Sequence, residues 1–350
     1  MLFFNILAQK IMSLIVKNNV SLKKYNTFGI DVNAQYFAEL KSIEDIHEAI
    51  DTAQGHPYLI LGGGSNVLFT KDFEGYVFIN QILGKDILSE TEDEIIVWAH
   101  SGENWHEFVL WTIENGAFGL ENLSLIPGSV GAAPMQNIGA YGTEIKDWCI
   151  QVEAIDCMTK ERVIFDHLDC KFGYRESVFK HELKNKYIIT KVIFKLDKYK
   201  KWIPNTNYGD IQNVLLAQGI ENPNPKEISN AVIQIRSSKL PNPKELGNAG
   251  SFFKNPVIDT KLFENLITKY PQMPNYPDKN GVKVPAGWLI EFCGFKGLKI
   301  GNTGSHEKQA LVIVNYSNAT GSEIFEYSQK IIDTVKDTFG IDLEREVNII

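Results

Sequence analysis

Two glycine-rich segments are the residues whose types and spacing most directly suggest chemistry. Gly62-Gly63-Gly64-Ser65-Asn66 follows an apolar run. Such glycines let backbone N–H groups converge on an anion with no Cβ in the way. The segment is not a dinucleotide fingerprint. The position of the third spaced glycine is Val67, and Val67-Leu68-Phe69 reads as strand where that motif needs a helix. With no Gly-Lys-Ser/Thr it is not a P-loop either, and taken by itself it favours a tight hairpin turn. The second segment, Ile126 to Gly142, changes the balance: it is long, almost free of charge, and mixes Gly, Ala, Ser and Asn. A backbone that closely lines a flat, polar-edged cofactor needs that mixture; the competing reading is a small-residue helix packed on a neighbour. Two such segments in one half favour a cofactor bed. Among the seven histidines there is no HExxH, HxH or His/Cys cluster, so no metal site is expected.

The elements that must position these segments read as short α/β units. An amphipathic helix is predicted over 45–53 and a strand over 58–61. A strand over 94–100 and a helix over 105–115 follow. Residues 151–156, 162–165 and 187–196 favour β structure. The Pro/Asn-rich stretch Glu221-Asn222-Pro223-Asn224-Pro225 marks a boundary before a helix over 227–237. The last third then carries a helix over 322–338, with Ile324, Tyr327, Ile331 and Val335 on one face, and a closing strand over 344–350.

At 350 residues, 44% hydrophobic and 22% charged, the chain is long enough for two or three domains. A net charge of −8 argues against nucleic acid as a partner. Cys149, Cys157, Cys170 and Cys293 form no CxxC pair, which fits a reducing cytoplasm. The opening MLFFNILAQKIM lacks a basic n-region and a cleavage site and is too short to span a bilayer. Translation is expected to begin at Met12, and no membrane insertion is expected.

Several stretches resemble the UDP-N-acetylenolpyruvoylglucosamine reductase family. They are Tyr25 to Gly29, Leu61 to Asn66, Ile126 to Gly142, Cys170 to Lys180, Leu246 to Pro256, Ala286 to Gly301 and Leu343 to Val347. Gly247-Asn248-Ala249-Gly250-Ser251-Phe252-Phe253-Lys254-Asn255-Pro256 is the most specific of them, and Tyr208-Gly209-Asp210 resembles the subgroup with an extra substrate-gating tyrosine loop. The resemblance implies an α+β chain with a FAD-binding fold of the PCMH/vanillyl-alcohol-oxidase type. Its subdomains would be residues 21–85 and 86–235, followed by a smaller α+β substrate-binding domain, 236–340. Residues 341–350 would return as a strand to the active site, and 1–20 would be an extension. It also implies NADPH-dependent reduction of an enolpyruvyl nucleotide sugar to UDP-N-acetylmuramate by a monomeric, cytoplasmic enzyme of peptidoglycan synthesis.

By the same resemblance, non-covalent FAD would be held by Gly62, Gly63, Gly64, Ser65 and Asn66, by Ile126, Gly128, Ser129, Gly131, Ala132 and Gly139, and by Arg236. Ser251 would be the proton donor, Arg175 the carboxylate and enolate clamp, and Glu346 the third catalytic group. Strand alternation puts Glu344 and Glu346 on one face, so the choice of Glu346 rests on the family motif. Tyr174, Tyr208, Lys239, Asn255, Tyr276, Lys283, Lys296 and Gln309 match the substrate contacts. A related flavin oxidase and a non-catalytic nucleotide-sugar or FAD sensor are the rivals. The first often needs His or Cys in the bed, and 126–142 contains neither. The second would not require Ser251, Arg175 and Glu346 together.

Overall fold

The computed structural model describes residues 14–350; the expected start at Met12 and most of the expected extension lie outside the described residues. The first sheet combines β1 (Lys17–Ser21), β2 (Asn33–Leu40), β3 (Tyr58–Leu61) and, after β4 (Val67–Leu68), β5 (Phe73–Asn80), in the order β1-β2-β5-β3. β2 and β3 both run parallel to β5, and β5 is buried along most of its length, as a central parallel strand must be. The extension predicted through residue 20 is corrected here, because Lys17–Ser21 pairs antiparallel with β2 as an edge strand. Helix α1 (Ile43–Thr52) starts two residues before its predicted position. Ser42 and Asp45 form a reciprocal capping box that satisfies the first turn.

The second unit is antiparallel. β6 (Lys85–Glu90), β7 (Glu94–His100), β10 (Cys149–Asp156), β11 (Arg162–Asp166) and β12 (Tyr187–Asp197) give the order β11-β10-β12-β7-β6. Helix α2 (Trp105–Glu114) and the small hairpin β8 (Gly139–Ala140) and β9 (Thr143–Glu144) lie within it. Trp105, Phe108, Val152 and Phe194 are part of its core. Helices α3 (Ile211–Ala217) and α4 (Pro225–Lys239) complete it, α4 burying Ile228, Ala231, Val232 and Ile235 beside Phe118 and Trp202. The division expected between 235 and 236 therefore falls inside α4. That helix also begins earlier than predicted, since Asn224, in the stretch expected to be a boundary, is its N-cap and Pro225 its first residue.

The last third holds a sheet of β13 (Gly247–Ser251), β17 (Lys299–Ile300), β18 (Thr303–Ser305) and β19 (Val312–Asn315). Beside it lies a smaller sheet of β14 (Val257–Ile258), β15 (Tyr276–Asp278) and β16 (Gly281–Lys283). Helices α5 (Thr260–Lys269), α6 (Ala286–Phe292) and α7 (Gly321–Phe339) accompany them, and α7 buries Ile324, Tyr327, Ile331 and Val335 as its periodicity predicts. One core joins this third to the first sheet: Phe37, Val77 and Ile79 share it with Phe252, Phe253, Ile331 and Val347.

The closing strand is shorter than predicted. Only β20 (Asn348–Ile349) forms a ladder, parallel to β4, and Arg345 bridges to Phe253. The hairpin reading of Gly62–Asn66 is overturned as well. β3 and β4 belong to different sheets, so the glycine turn carries the chain from one sheet to another. The helix alternative for 126–142 also fails: the segment forms 3₁₀ turns at Val130–Ala132 and Pro134–Gln136 and then β8. Among the described residues no helix is long and apolar enough to cross a membrane.

Candidate active site

Ser251 ends β13. The ladder between β13 and β19 slips between Asn248 and Ser251, where Gly250 adopts φ +69° and donates its N–H to the Asn248 side chain at 2.9 Å. The positive φ favours glycine and leaves Ser251 exposed. Immediately beyond, Glu346 N–H donates to the Phe252 carbonyl (2.8 Å) and Lys254 N–H to that of Glu344 (2.9 Å). The Ser251 strand and the C-terminal segment therefore lie side by side.

Arg175 reaches Glu346 from the second unit, its Nε 3.3 Å from Glu346 Oε1. Arg175 sits at φ +56°, in a turn closed by reciprocal bonds between Gly173 and Glu176. A left-handed non-glycine residue costs about 1–2 kcal/mol, and its surroundings hold it there. Asn137 donates to the Gly173 carbonyl (2.8 Å), Ser177 to that of Met135 (2.7 Å), and Lys180 Nζ to that of Arg175 itself (3.1 Å). Arg175 Nε is buried and, although beside a carboxylate, makes no aligned hydrogen bond among the described residues. A guanidinium is a strong paired donor for carboxylates.

Glu346 is nearly enclosed, with a side chain 10% exposed, whereas Glu344 is 68% exposed. Alternation therefore misjudged this pair: the ladder begins at Asn348, and the residues before it do not follow a two-residue period. Burial pushes the Glu346 carboxyl above the usual range, against the opposing cations of Arg175, Lys180 and Lys254. The group can thus hold a proton where an exposed glutamate would not.

Most of the expected substrate contacts gather beside this trio. Asn255 Nδ2 donates to the Tyr174 hydroxyl at 3.5 Å, and its Oδ1 accepts the Ala286 N–H at the start of α6. Lys283 Nζ stands 4.5 Å from the centroid of the Tyr174 ring, and Tyr276 is opposite Lys283 across β15 and β16. Gln309 approaches Gly287 in the first turn of α6. Tyr208 is exposed and packs edge-on to Tyr141 at 6.5 Å, while Lys239 pairs with Asp210 at 2.5 Å. Lys296 does not join them: it pairs with Glu291 at 2.9 Å, beyond the far end of α6.

The two glycine-rich segments meet backbone to backbone. A Cβ on Gly62 would fall 2.4 Å from Ser129 Oγ, and one on Gly63 would fall 3.0 Å from Gly128 Cα. Ser65 Oγ donates to the Pro127 carbonyl at 3.1 Å. The N–H groups of Gly63, Gly64, Ser65 and Asn66 have no protein acceptor among the described residues. A run of free amides on a glycine turn fits a diphosphate. Arg236, at the end of α4, donates to the Leu125 carbonyl at 3.3 Å and lies beside the Tyr141 phenol. Gly131 and Gly139 are small for a different reason: a Cβ would strike Ser101 at 2.4 Å or Glu144 at 2.7 Å, so packing on those neighbours accounts for them.

Residues 242–350 match the family model of the UDP-N-acetylenolpyruvoylglucosamine reductase C-terminal domain, and residues 34–163 match that of a FAD-binding domain. The UDP-N-acetylenolpyruvoylglucosamine reductase of Flavobacterium johnsoniae is 52% identical over 336 residues, covering 96% of this chain and 99% of that protein. That of Chromobacterium violaceum is 46% identical over 340 residues, with the same coverage of each. This chain belongs to the UDP-N-acetylenolpyruvoylglucosamine reductase family. The crystal structure of the Thermus caldophilus UDP-N-acetylenolpyruvylglucosamine reductase has the same fold. Its TM-score is 0.65 at 23% identity, over 96% of this chain and 99% of that one. The architecture is thus the expected α+β one, a FAD-binding fold followed by a C-terminal domain.

In this UDP-N-acetylenolpyruvoylglucosamine reductase family member, Tyr25 to Gly29 holds the glycine turn in place. Thr27 N–H donates to the Gly64 carbonyl (3.0 Å) and the Thr27 carbonyl accepts from Asn248 in β13 (3.0 Å), linking the turn to the Ser251 strand. Gly64 has φ +61°, and a Cβ there would lie 2.0 Å from the Tyr25 carbonyl oxygen. Gly64→Ala should therefore lose at least about 1–2 kcal/mol from the left-handed backbone alone, and flavin content with it. Flavin absorbance per mole of purified protein and the melting temperature test this; unchanged values in both would refute it. Sequence reasoning missed Asn137, Lys180 and Lys254, although all three stand inside stretches that carry the resemblance. It also missed His106, whose Nδ1 accepts the Leu125 N–H at 3.0 Å beside the carbonyl that Arg236 holds.

Proposed function

We propose that this chain reduces UDP-N-acetylglucosamine enolpyruvate to UDP-N-acetylmuramate in peptidoglycan precursor synthesis, with NADPH as the electron source. The observation that carries this is that Arg175, Glu346 and the Ser251 strand, each from a separate part of the chain, lie side by side. FAD, when bound, supplies the hydride that it takes from NADPH. The glycine turn with its free amides and the segment from Ile126 are the surfaces that would hold it. Since 126–142 contains no His or Cys, the binding is non-covalent in this reading.

The residues then have distinct tasks. Hydride addition to the terminal methylene carbon of the enol ether leaves enolate character next to the substrate carboxylate. The Arg175 guanidinium, set beside Glu346, would take that carboxylate and its developing charge. Ser251 would return a proton to the enolate carbon, a base far stronger than an alkoxide needs to be matched against. Glu346, held toward its protonated form, would steady that transfer. Lys283, Tyr174, Asn255, Tyr276 and Gln309 would grip the nucleotide sugar. The exposed Tyr208 segment, latched by Asp210 to Lys239, would serve as the gate of the tyrosine-loop subgroup.

In this reading the enzyme works as a cytoplasmic monomer. All the named groups come from one chain, and the four cysteines are unpaired thiols. The test is spectroscopic. The purified protein should be yellow, bleach with NADPH in the absence of oxygen, and regain its colour when the enolpyruvyl nucleotide sugar is added. Colour that returns only with oxygen would favour a related oxidase, and a protein that never consumes NADPH would favour a sensor.

A further inference from the structure

A compact ion cluster sits directly behind the catalytic trio. Lys254 Nζ lies 2.7 Å from Glu176 Oε1 and 2.5 Å from Glu344 Oε1, and its side chain is only 12% exposed. Lys180 Nζ approaches the same Glu176 oxygen at 3.5 Å while donating to the Arg175 carbonyl, and His181 closes on the other Glu176 oxygen. Sequence position gives the cluster its meaning. Glu176 follows Arg175, Lys254 lies three residues after Ser251, and Glu344 lies two residues before Glu346. Each catalytic residue thus has a member of the cluster on its own short stretch of backbone.

An ammonium this enclosed is costly to desolvate, and its charge is sustained only while both carboxylates meet it. A stabilising surface pair would not need that burial, since exposed pairs contribute little. Building on the proposed reductase activity, we infer that Lys254 is a positioning residue. Its ammonium ties the Arg175 turn to both the Ser251 strand and the Glu346 segment, and so fixes the geometry and the charge of the trio. Lys254 touches neither substrate nor cofactor in this role and acts through Glu176 and Glu344. The charged groups around Glu346 are Arg175, Lys180, Lys254 and Glu344, with the Tyr174 phenol nearby. The first three favour its carboxylate and Glu344 disfavours it, so losing Lys254 raises the pH at which Glu346 titrates.

The test compares Lys254→Met and Lys254→Arg in the full-length holoenzyme with wild type. Lys254→Met should lower kcat for the enolpyruvyl nucleotide sugar by on the order of 10- to 100-fold. NADPH bleaching of the flavin should stay within a few-fold of wild type. The limb of the kcat–pH profile that reports Glu346 should move to higher pH, by on the order of half a unit. Lys254→Arg should restore most of the turnover and the wild-type limb. Glu176→Gln, which keeps the lysine but cuts its tie to the Arg175 turn, should lower kcat while the flavin still bleaches. An unchanged kcat and pH limb in Lys254→Met would overturn the inference. So would a parallel loss of flavin, bleaching and turnover in both Lys254→Met and Glu176→Gln, which would mark a purely structural pair. Wild-type enzyme that itself fails to turn over this substrate would instead refute the proposed function.

Discussion

Replacing Ser251 with alanine is expected to abolish turnover of the enolpyruvyl nucleotide sugar while leaving NADPH able to bleach the flavin. The two half-reactions separate because only the second needs a proton delivered to carbon. A positioned general acid contributes roughly 10²- to 10⁴-fold, so the loss in kcat should fall in that range. The substitution removes one oxygen from an exposed residue at the end of β13, next to a glycine that already carries the backbone turn. Its effect on stability should therefore be within about 0.5 kcal/mol. Stopped-flow traces of bleaching and of colour recovery, taken with a thermal melt, decide the matter. Equal loss in both phases, or recovery at the wild-type rate, would remove Ser251 from the proton-donor role.

Arg175→Lys should also be damaging despite keeping the charge. The residue stands at φ +56°, and lysine bears the same backbone cost there, so the melting temperature should change little. What lysine cannot supply is the planar pair of donors that matches a carboxylate. Losing a charge-assisted hydrogen bond costs about 1.5–3 kcal/mol, which corresponds to roughly 10- to 100-fold in kcat/KM. Removing the guanidinium also takes away Nε, which lies 3.3 Å from Glu346. The substrate carboxylate would then meet a less well-shielded acid. Steady-state kinetics of Arg175→Lys with near-wild-type kcat/KM would mean that another group holds the carboxylate.

The legible parts of this protein are those governed by local pattern. Strands such as Glu94–His100 and Tyr58–Leu61 are dense in β-formers and emerge at their predicted positions, and α7 follows its periodicity. Cap chemistry overlaps boundary chemistry in Asn224-Pro225, which reads as part of a boundary yet opens α4. What sequence pattern could not supply depends on pairing at a distance. Alternation equated Glu344 with Glu346 because it presumed a ladder that begins only at Asn348. Taken by itself the glycine turn reads as a hairpin because its two strands are adjacent in sequence, yet they pair with β5 and β20. Motif resemblance brought Ser251, Arg175 and Glu346 together, but it is silent about their support. Lys180 and Lys254 matter for where their ammonium groups reach, and no spacing rule encodes that.

The pairing of β4 with β20 has a consequence for how the protein is made. Val67 and Leu68, which leave the glycine turn, gain their ladder partners only from Asn348 and Ile349. Asn66 likewise donates to the Glu346 carbonyl and accepts from Asn348. A ribosome-bound nascent chain can fold its antiparallel second unit early, since those strands lie close in sequence. The edge beside the glycine turn stays unpaired until Asn348 and Ile349 have been synthesised, so its closure can be completed only after the second unit has been made.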